Sequence, residues 1–187
     1  MPSIYDLKPR FQNLLRPSMR AMAAEGISPN VVTIAANAGS GLAAFVSLRY
    51  SLLALPVWLF LRMALNAIDG MMARQLNQST KLGAILNELG DLLSDIALYL
   101  PLALLSAPLA VALFVIGEIL TEFCGVLQQA LTGKRRYEGP MGKSDRALAI
   151  GLLAIVTAFA PEALRYWPWI FGILTALTAV TCVNRLK

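Results

Sequence analysis

Long apolar runs alternate along this chain with short clumps of charge. Val31 to Leu48 carries no charge and is rich in Ala, Gly and Ser. Ser51 to Arg74 follows, then Leu82 to Leu105, Pro108 to Leu131, Ala147 to Pro161 and Tyr166 to Asn184. Most of these runs approach or exceed the roughly 20 residues that a helix needs to cross a hydrocarbon core. The fifth is short and is expected to reach back into Lys143–Arg146. Gly39, Ser40 and Gly41 are expected to let a neighbour approach the first run closely. The pattern predicts an all-α integral membrane protein with six transmembrane helices. Residues 1–187 form one domain, an interfacial segment at 1–28 and a six-helix bundle at 29–187.

The first segment reads differently. From Ser3 to Arg20, Tyr5, Leu7, Phe11, Leu14, Leu15 and Met19 are interleaved with Lys8, Arg10, Arg16 and Arg20. That mixture predicts an amphipathic helix lying along the membrane surface. It lacks the continuous apolar stretch of a cleavable signal. Pro9 and Pro17 are expected to break it into pieces.

Composition supports the bilayer reading. Hydrophobic side chains make up 57% of the chain and charged ones 14%, against about a quarter charged in a soluble domain. The net charge is +5, but the cations sit between apolar runs and not on one face, which argues against nucleic acid. Cys124 and Cys182 lie inside apolar runs and read as packing residues. With no histidine in the chain, acid–base chemistry falls to carboxylates or lysine.

The basic residues also give an orientation. Lys8, Arg10, Arg16, Arg20, Arg74, Lys81, Lys134, Arg135, Arg136, Lys143, Arg146, Arg185 and Lys187 fall on one side of a six-span layout. Arg49 and Arg165 fall on the other side, and Arg62 lies within a span. The positive-inside rule then puts both termini in the cytoplasm, in a multi-pass protein of the inner (cytoplasmic) membrane.

Charge within a bilayer costs about 2.5–3.5 kcal/mol per group even on the lenient insertion scale. The buried charges therefore call for an explanation. Arg62, Asn66, Asp69 and Ala73 share one face of the second span, and Asn87, Asp91 and Asp95 form a stripe on the third. Facing each other, these stripes bring Asn66, Asp69, Asn87 and Asp91 into an oxygen-rich pocket suited to Mg²⁺ or Mn²⁺. The competing reading is a buried ion-pair network, with Arg62 paired to an acid. Glu118 and Glu122, on one face of the fourth span, either line the same pocket or pair with Arg62.

At these residues a family resemblance emerges. The run Asn66-Ala-Ile-Asp69-Gly70-Met-Met-Ala73-Arg74, eight further residues, and Gly83-Ala-Ile-Leu-Asn87-Glu-Leu-Gly-Asp91 resembles the CDP-alcohol phosphotransferase signature, D-x2-D-G-x2-A-R-x8-G-x3-D-x3-D. Gly26-Ile-Ser-Pro29-Asn30-Val-Val-Thr33 looks like the family's opening before its first span. The stretch from Ser3 to Arg146, with its segment Tyr137 to Arg146, is similar to an enterobacterial branch of the family. The first and third aspartates of the signature are Asn66 and Asn87 here, as in that branch. Each substitution keeps a carbonyl oxygen and removes a charge.

The resemblance implies transfer of a phospho-alcohol group from a donor such as CDP-diacylglycerol to an acceptor hydroxyl, with release of CMP, in phospholipid synthesis. It implies Asp69, Asp91, Asn66 and Asn87 as ligands of one or two Mg²⁺ or Mn²⁺ ions, with Asp91 as the base. It implies Asn30, Thr33, Gly70, Ala73, Arg74 and Gly83 around the nucleotide, membrane lipids as surroundings, and a homodimer as one assembly. Ser79 or Thr80 is expected to cap the third span. Arg135, Arg136, Lys143 and Arg146 form a basic cluster that reads either as an acceptor site or as a topology signal alone. Glycerol phosphate or inositol phosphate suits such a cluster, and a neutral alcohol stays open. Two other functions compete: a non-catalytic relative that binds CDP-lipid or metal, motivated by the two asparagines, and a small transporter.

Overall fold

A computed structural model describes residues 8–187. The expected positions of Ser3, Tyr5 and Leu7 on the surface helix lie outside the described residues. Seven α-helices follow one another, with no strand among the described residues: α1 Lys8–Ala24, α2 Pro29–Arg49, α3 Ala54–Gln75, α4 Lys81–Tyr99, α5 Pro108–Thr132, α6 Lys143–Phe159 and α7 Trp167–Leu186.

Local chemistry fixes the boundaries. Helix α1 runs unbroken through Pro17, contrary to the expected break. Pro9 sits in its first turn, where a missing N–H costs nothing, and Pro17 removes a single intrahelical bond. Gly26, at φ +74°, turns the chain after α1. The Ser28 hydroxyl then accepts from Val31 N at 3.4 Å, and Pro29 opens α2. Thr80 caps α4 by accepting from Gly83 N at 2.9 Å, while Ser79 donates back to the Ala73 carbonyl at the end of α3. The third apolar run does not stay α-helical to Leu105: beyond Tyr99 it tightens into a 3₁₀ segment at Leu100–Leu104, which contains Pro101. Gly133, at φ +74°, stops α5. Helix α6 begins at Lys143, as the shortness of the fifth run suggested, and the Asp145 carboxylate accepts from Gly142 N at 3.1 Å.

Helix α2 packs against α3 and α4, α3 against α6 and α1, and α5 against α7. The main core gathers Leu55, Tyr99, Phe114, Ile150, Trp167 and Phe171. Phe114 and Phe171 meet edge to face at 5.5 Å between centroids, and buried Trp167 donates its indole N–H to Thr157 at 3.1 Å. A second cluster, Met19, Val32, Ile68, Met71 and Met72, joins α1 to α2 and α3. Leu42, Phe45, Val57, Leu109, Phe123, Leu152 and Trp169 point outward. An outer surface this apolar fits lipid and not water. Four segments are long and apolar enough to cross a membrane: Pro29–Arg49, Ala54–Gln75, Pro108–Thr132 and Pro161–Leu186. The chain is therefore a multi-pass membrane protein. Helix α4 misses that standard because it carries Lys81, Glu88, Asp91 and Asp95, and α6 because it has 17 residues.

Of the three small residues in α2, Gly39 and Ser40 make the close approach. A Cβ at Gly39 would overlap the Trp58 ring of α3, whose indole N–H donates to Ser40 at 3.0 Å. A Cβ at Gly41 meets nothing within 4 Å. Gly39→Ala is expected to destabilise the protein by about 1–3 kcal/mol through overpacking. Gly41→Ala is expected to be neutral or to gain up to about 1 kcal/mol from helix propensity. Unfolding of both variants in detergent checks the contrast, and equal behaviour would refute the close contact.

Candidate active site

The 3.6-residue period of α3 puts Arg62, Asn66 and Asp69 on the side facing α2 and α4. Asp69 is buried, and its Oδ2 accepts from the Thr33 hydroxyl of α2 at 2.6 Å. Asn66 donates its amide N–H to Asp91 Oδ1 on α4 at 2.8 Å. The two stripes therefore do face each other. Asp91 Oδ1 also receives the Lys143 ammonium of α6 at 2.5 Å and Arg62 at 3.3 Å. Arg62 further donates to the Asp91 backbone carbonyl at 2.8 Å and pairs with Asp95. Among the described residues, Asp91 Oδ2 and the Asn87 amide carry no hydrogen bond.

The residues expected around a nucleotide gather where α2, α3 and α4 meet. A Cβ at Gly83 would lie 2.7 Å from Asn30 Oδ1, so the start of α4 touches the start of α2. A Cβ at Gly70 would lie 2.9 Å from Arg74 Nη2, so the small residue lets the Arg74 side chain fold back along α3. Ala73 is half-buried beside them, and Arg74 is exposed with no carboxylate partner among the described residues.

The basic cluster is where the structure departs furthest from a simple reading. Arg146 is fully buried and points inward. It reaches Glu122 at 3.0 Å, Asp95 at 3.3 Å and Glu118 at 3.5 Å. It also donates to the Thr121 hydroxyl at 3.0 Å and the Met141 carbonyl at 3.1 Å. Arg135 pairs with Glu88 and, at 3.1 Å, with Glu122. Arg136 is half-buried and has no carboxylate partner among the described residues. Glu118 and Glu122 pair with arginines of the loop and of α6 and α7, not with Arg62. The ion-pair reading thus holds for Arg62 and for both glutamates, and it coexists with the oxygen-lined pocket. Removing one partner from pairs as buried as Arg146–Glu118 costs about 3–5 kcal/mol, so these pairs are structural.

Arg185 was not expected here. It looked like a terminal topology charge, yet it is buried, donates to the Thr121 carbonyl at 2.5 Å and lies 3.7 Å from Glu122. Its signal is the stripe Thr178, Thr181 and Arg185 on one face of α7, all buried. Lys143 was expected at the acceptor and instead touches Asp91 itself.

No three His, Cys, Asp or Glu side chains gather as a ready-made metal cage among the described residues. The pocket's own donors, Asp69, Asp91 and the amides of Asn66 and Asn87, are all oxygen ligands of the kind a hard divalent cation takes. Two carboxylates and two neutral amides are a donor set compatible with a hard divalent cation.

Comparison with known proteins agrees with this geometry. The CDP-alcohol phosphatidyltransferase family model matches residues 26–183. Inner membrane protein YnbA of Escherichia coli K12 is 47% identical over 191 residues, covering 99% of this chain and 95% of that protein. Phosphatidylinositol phosphate synthase of Mycobacterium bovis BCG is 27% identical over 198 residues, covering 94% of this chain and 85% of that one. The crystal structure of the Mycobacterium tuberculosis phosphatidylinositol phosphate synthase with CDP-DAG bound superposes with a TM-score of 0.78 at 24% identity, covering 93% of this chain and 92% of that one. The same enzyme in complex with manganese and citrate gives 0.77 at 24% identity, covering 92% and 87%. At that identity the superposition shows a shared fold. Matched by the family model across both stripes and by a close relative almost end to end, this chain belongs to the CDP-alcohol phosphatidyltransferase family, the membrane transferases that move a phosphatidyl group from a CDP-linked lipid during phospholipid synthesis.

Proposed function

We propose that this chain transfers the phosphatidyl group of CDP-diacylglycerol to an acceptor alcohol, releasing CMP at the cytoplasmic face of the inner membrane. The observation that carries the proposal is the meeting of α3 and α4 through Asn66 and Asp91, with Asp69 alongside. Mg²⁺ or Mn²⁺, when bound, would supply positive charge that offsets the charge developing on departing CMP. Asp69 and Asp91 would hold it, with the carbonyl oxygens of Asn66 and Asn87 as further ligands. Asn66 turns its N–H toward Asp91, so the carbonyl oxygen is the atom left for a ligand. Asp91 takes the acceptor's proton, in a chain without histidine. Arg74 and the amides at the start of α4 favour the diphosphate, and Gly70, Ala73, Gly83, Asn30 and Thr33 shape the nucleotide's place. The bound CDP-DAG and manganese of the mycobacterial synthase support both the donor and the cation.

Within this proposal α4 and α6 also cross the membrane, giving six spans, because their charges turn inward: Asp95 and Arg146 are buried. Helix α1, with Arg10, Arg16 and Arg20 exposed, is read as the amphipathic helix at the cytoplasmic surface. Single cysteines replacing Ser106 or Glu162, in a background without Cys124 and Cys182, are expected to label from the periplasmic side. Labelling of both from the cytoplasm would overturn the orientation.

The activity is tested by CMP release from CDP-diacylglycerol with Mg²⁺ or Mn²⁺ and a panel of alcohols. Asp69→Ala is expected to abolish metal-dependent donor binding. Asp91→Asn is expected to keep donor binding and to lower turnover by about 10²–10⁴-fold, the usual contribution of a general base. Full turnover in Asp91→Asn would remove it from the chemistry. Restoring both signature acids, Asn66→Asp with Asn87→Asp, is expected to tighten divalent metal binding in a calorimetric titration. Unchanged affinity would mean that neither side chain faces the metal.

A further inference from the structure

The cytoplasmic end of the bundle constrains the acceptor. Five cations converge there, Arg62, Arg135, Lys143, Arg146 and Arg185. Five carboxylates answer them: Glu88, Asp91, Asp95, Glu118 and Glu122. Arg146 and Glu118 are each 0% exposed, and Arg62, Asp95 and Arg185 are nearly so. The pairs of Arg62 and Arg146 with Asp95, and of Arg146 with Glu118, are interior, and there an incoming anion would have to displace a buried carboxylate; Arg135–Glu88 and Lys143–Asp91 lie nearer the surface but already hold a carboxylate on each cation. A cavity of about 10 Å³ touching Arg62, Asp95 and Lys143 has room for one water and no phosphate group.

A sixth carboxylate, Asp69, is held by Thr33 and has no cation partner among the described residues. Lys134, exposed, and Arg136, half-buried, are the loop cations without a carboxylate partner among the described residues. A phosphate monoester calls for several converging charged donors.

We infer that the acceptor is an alcohol that bears no phosphate, either uncharged or zwitterionic. Glu88, Glu118 and Glu122 occupy the arginines that would otherwise receive an acceptor phosphate. This rests on the transferase reading above. The acceptor hydroxyl oxygen bonds to the phosphorus that bears diacylglycerol. The bond from that phosphorus to the bridging oxygen breaks, CMP leaves with that oxygen and its electron pair, and the hydroxyl proton passes to Asp91.

The full-length protein with CDP-diacylglycerol and Mg²⁺ is assayed for CMP release with glycerol, inositol and serine, beside glycerol 3-phosphate and inositol 1-phosphate. One or more of the unphosphorylated alcohols is expected to release CMP at least about 100-fold faster than any phosphorylated one, since each missing charge-assisted contact is worth roughly 10- to 100-fold. Equal or faster release with a phosphorylated alcohol overturns the inference. A calorimetric titration with glycerol 3-phosphate gives a readout that needs no turnover. The wild-type protein is expected not to bind it, whereas Glu88→Gln and Glu122→Gln, by freeing Arg135 or Arg146, are expected to bind at least about tenfold more tightly. Glu88 has a 41% exposed side chain, so its variant folds even where the Glu122 variant does not. Binding by the wild-type protein, or no gain in a folded variant, overturns the inference. If no alcohol releases CMP, the transferase reading fails, and the titration still decides whether the site rejects phosphate.

Discussion

A charge inside a bilayer survives only where another charge or dipole meets it, and that constraint organises this protein. Asp95 lies between Arg62 of α3 and Arg146 of α6, and Arg146 reaches across to Glu118 and Glu122 of α5. Arg185 brings α7 to the same point, and Arg135 ties the loop after α5 to α4. Helices far apart in the chain thus converge on one ionic knot. Buried pairs like these add little net stability compared with apolar packing, but losing one partner is costly. Their effect is to hold the helices in one relative position. That position also sets Asp69 and Asp91 across from each other.

Apolar packing follows the same division. Away from the ionic end, Trp167, Phe114, Phe171 and Leu55 fill the bundle, and glycine lets α2 approach α3 at Trp58. Toward the ionic end, glycines make room for polar atoms. Gly90 faces the Asn37 amide, Gly117 the Thr178 hydroxyl and Gly139 the Thr181 backbone and side chain. Gly139 combines that crowding with φ +139°, a conformation L side chains rarely adopt. One end is packed for stability and the other for the precise placement of polar groups, as a site built on rigid helices needs.

How much was legible in sequence depended on the range of the interaction. Four of the spans and the Thr80 cap are local, and hydropathy and spacing expose them. The signature stripes are legible because helical periodicity alone aligns Asn66 with Asp69 and Asn87 with Asp91. Pro17 was overread, since tertiary packing of α1 against α3 outweighs the loss of one intrahelical bond. The inward pairing of Arg146, read as an acceptor residue or a topology charge, and of Arg185, read as a topology charge, is hidden because the partners are distant in sequence: Asp95 is 51 positions from Arg146, and the Thr121 carbonyl is 64 from Arg185. A positive-inside count tells which side of the membrane a cation prefers, not whether its side chain turns in or out.

The two asparagines gain their sense from Lys143. The signature that this sequence resembles carries four aspartates. Here two of those positions keep a carboxylate, Asp69 and Asp91, and two carry the neutral amides of Asn66 and Asn87. Asn66 donates an N–H to the same oxygen of Asp91 that the Lys143 ammonium touches, with Arg62 close behind. An aspartate at position 66 has no such hydrogen to give, and its charge would sit against Asp91 at hydrogen-bonding distance. Lys143 is therefore not an independent basic residue that happens to lie near the site. It supplies, from α6, positive charge at the flank of Asp91 where the substituted signature has lost a carboxylate. Asn66 and Lys143 thus meet on one oxygen of Asp91, the first by an N–H and the second by its charge.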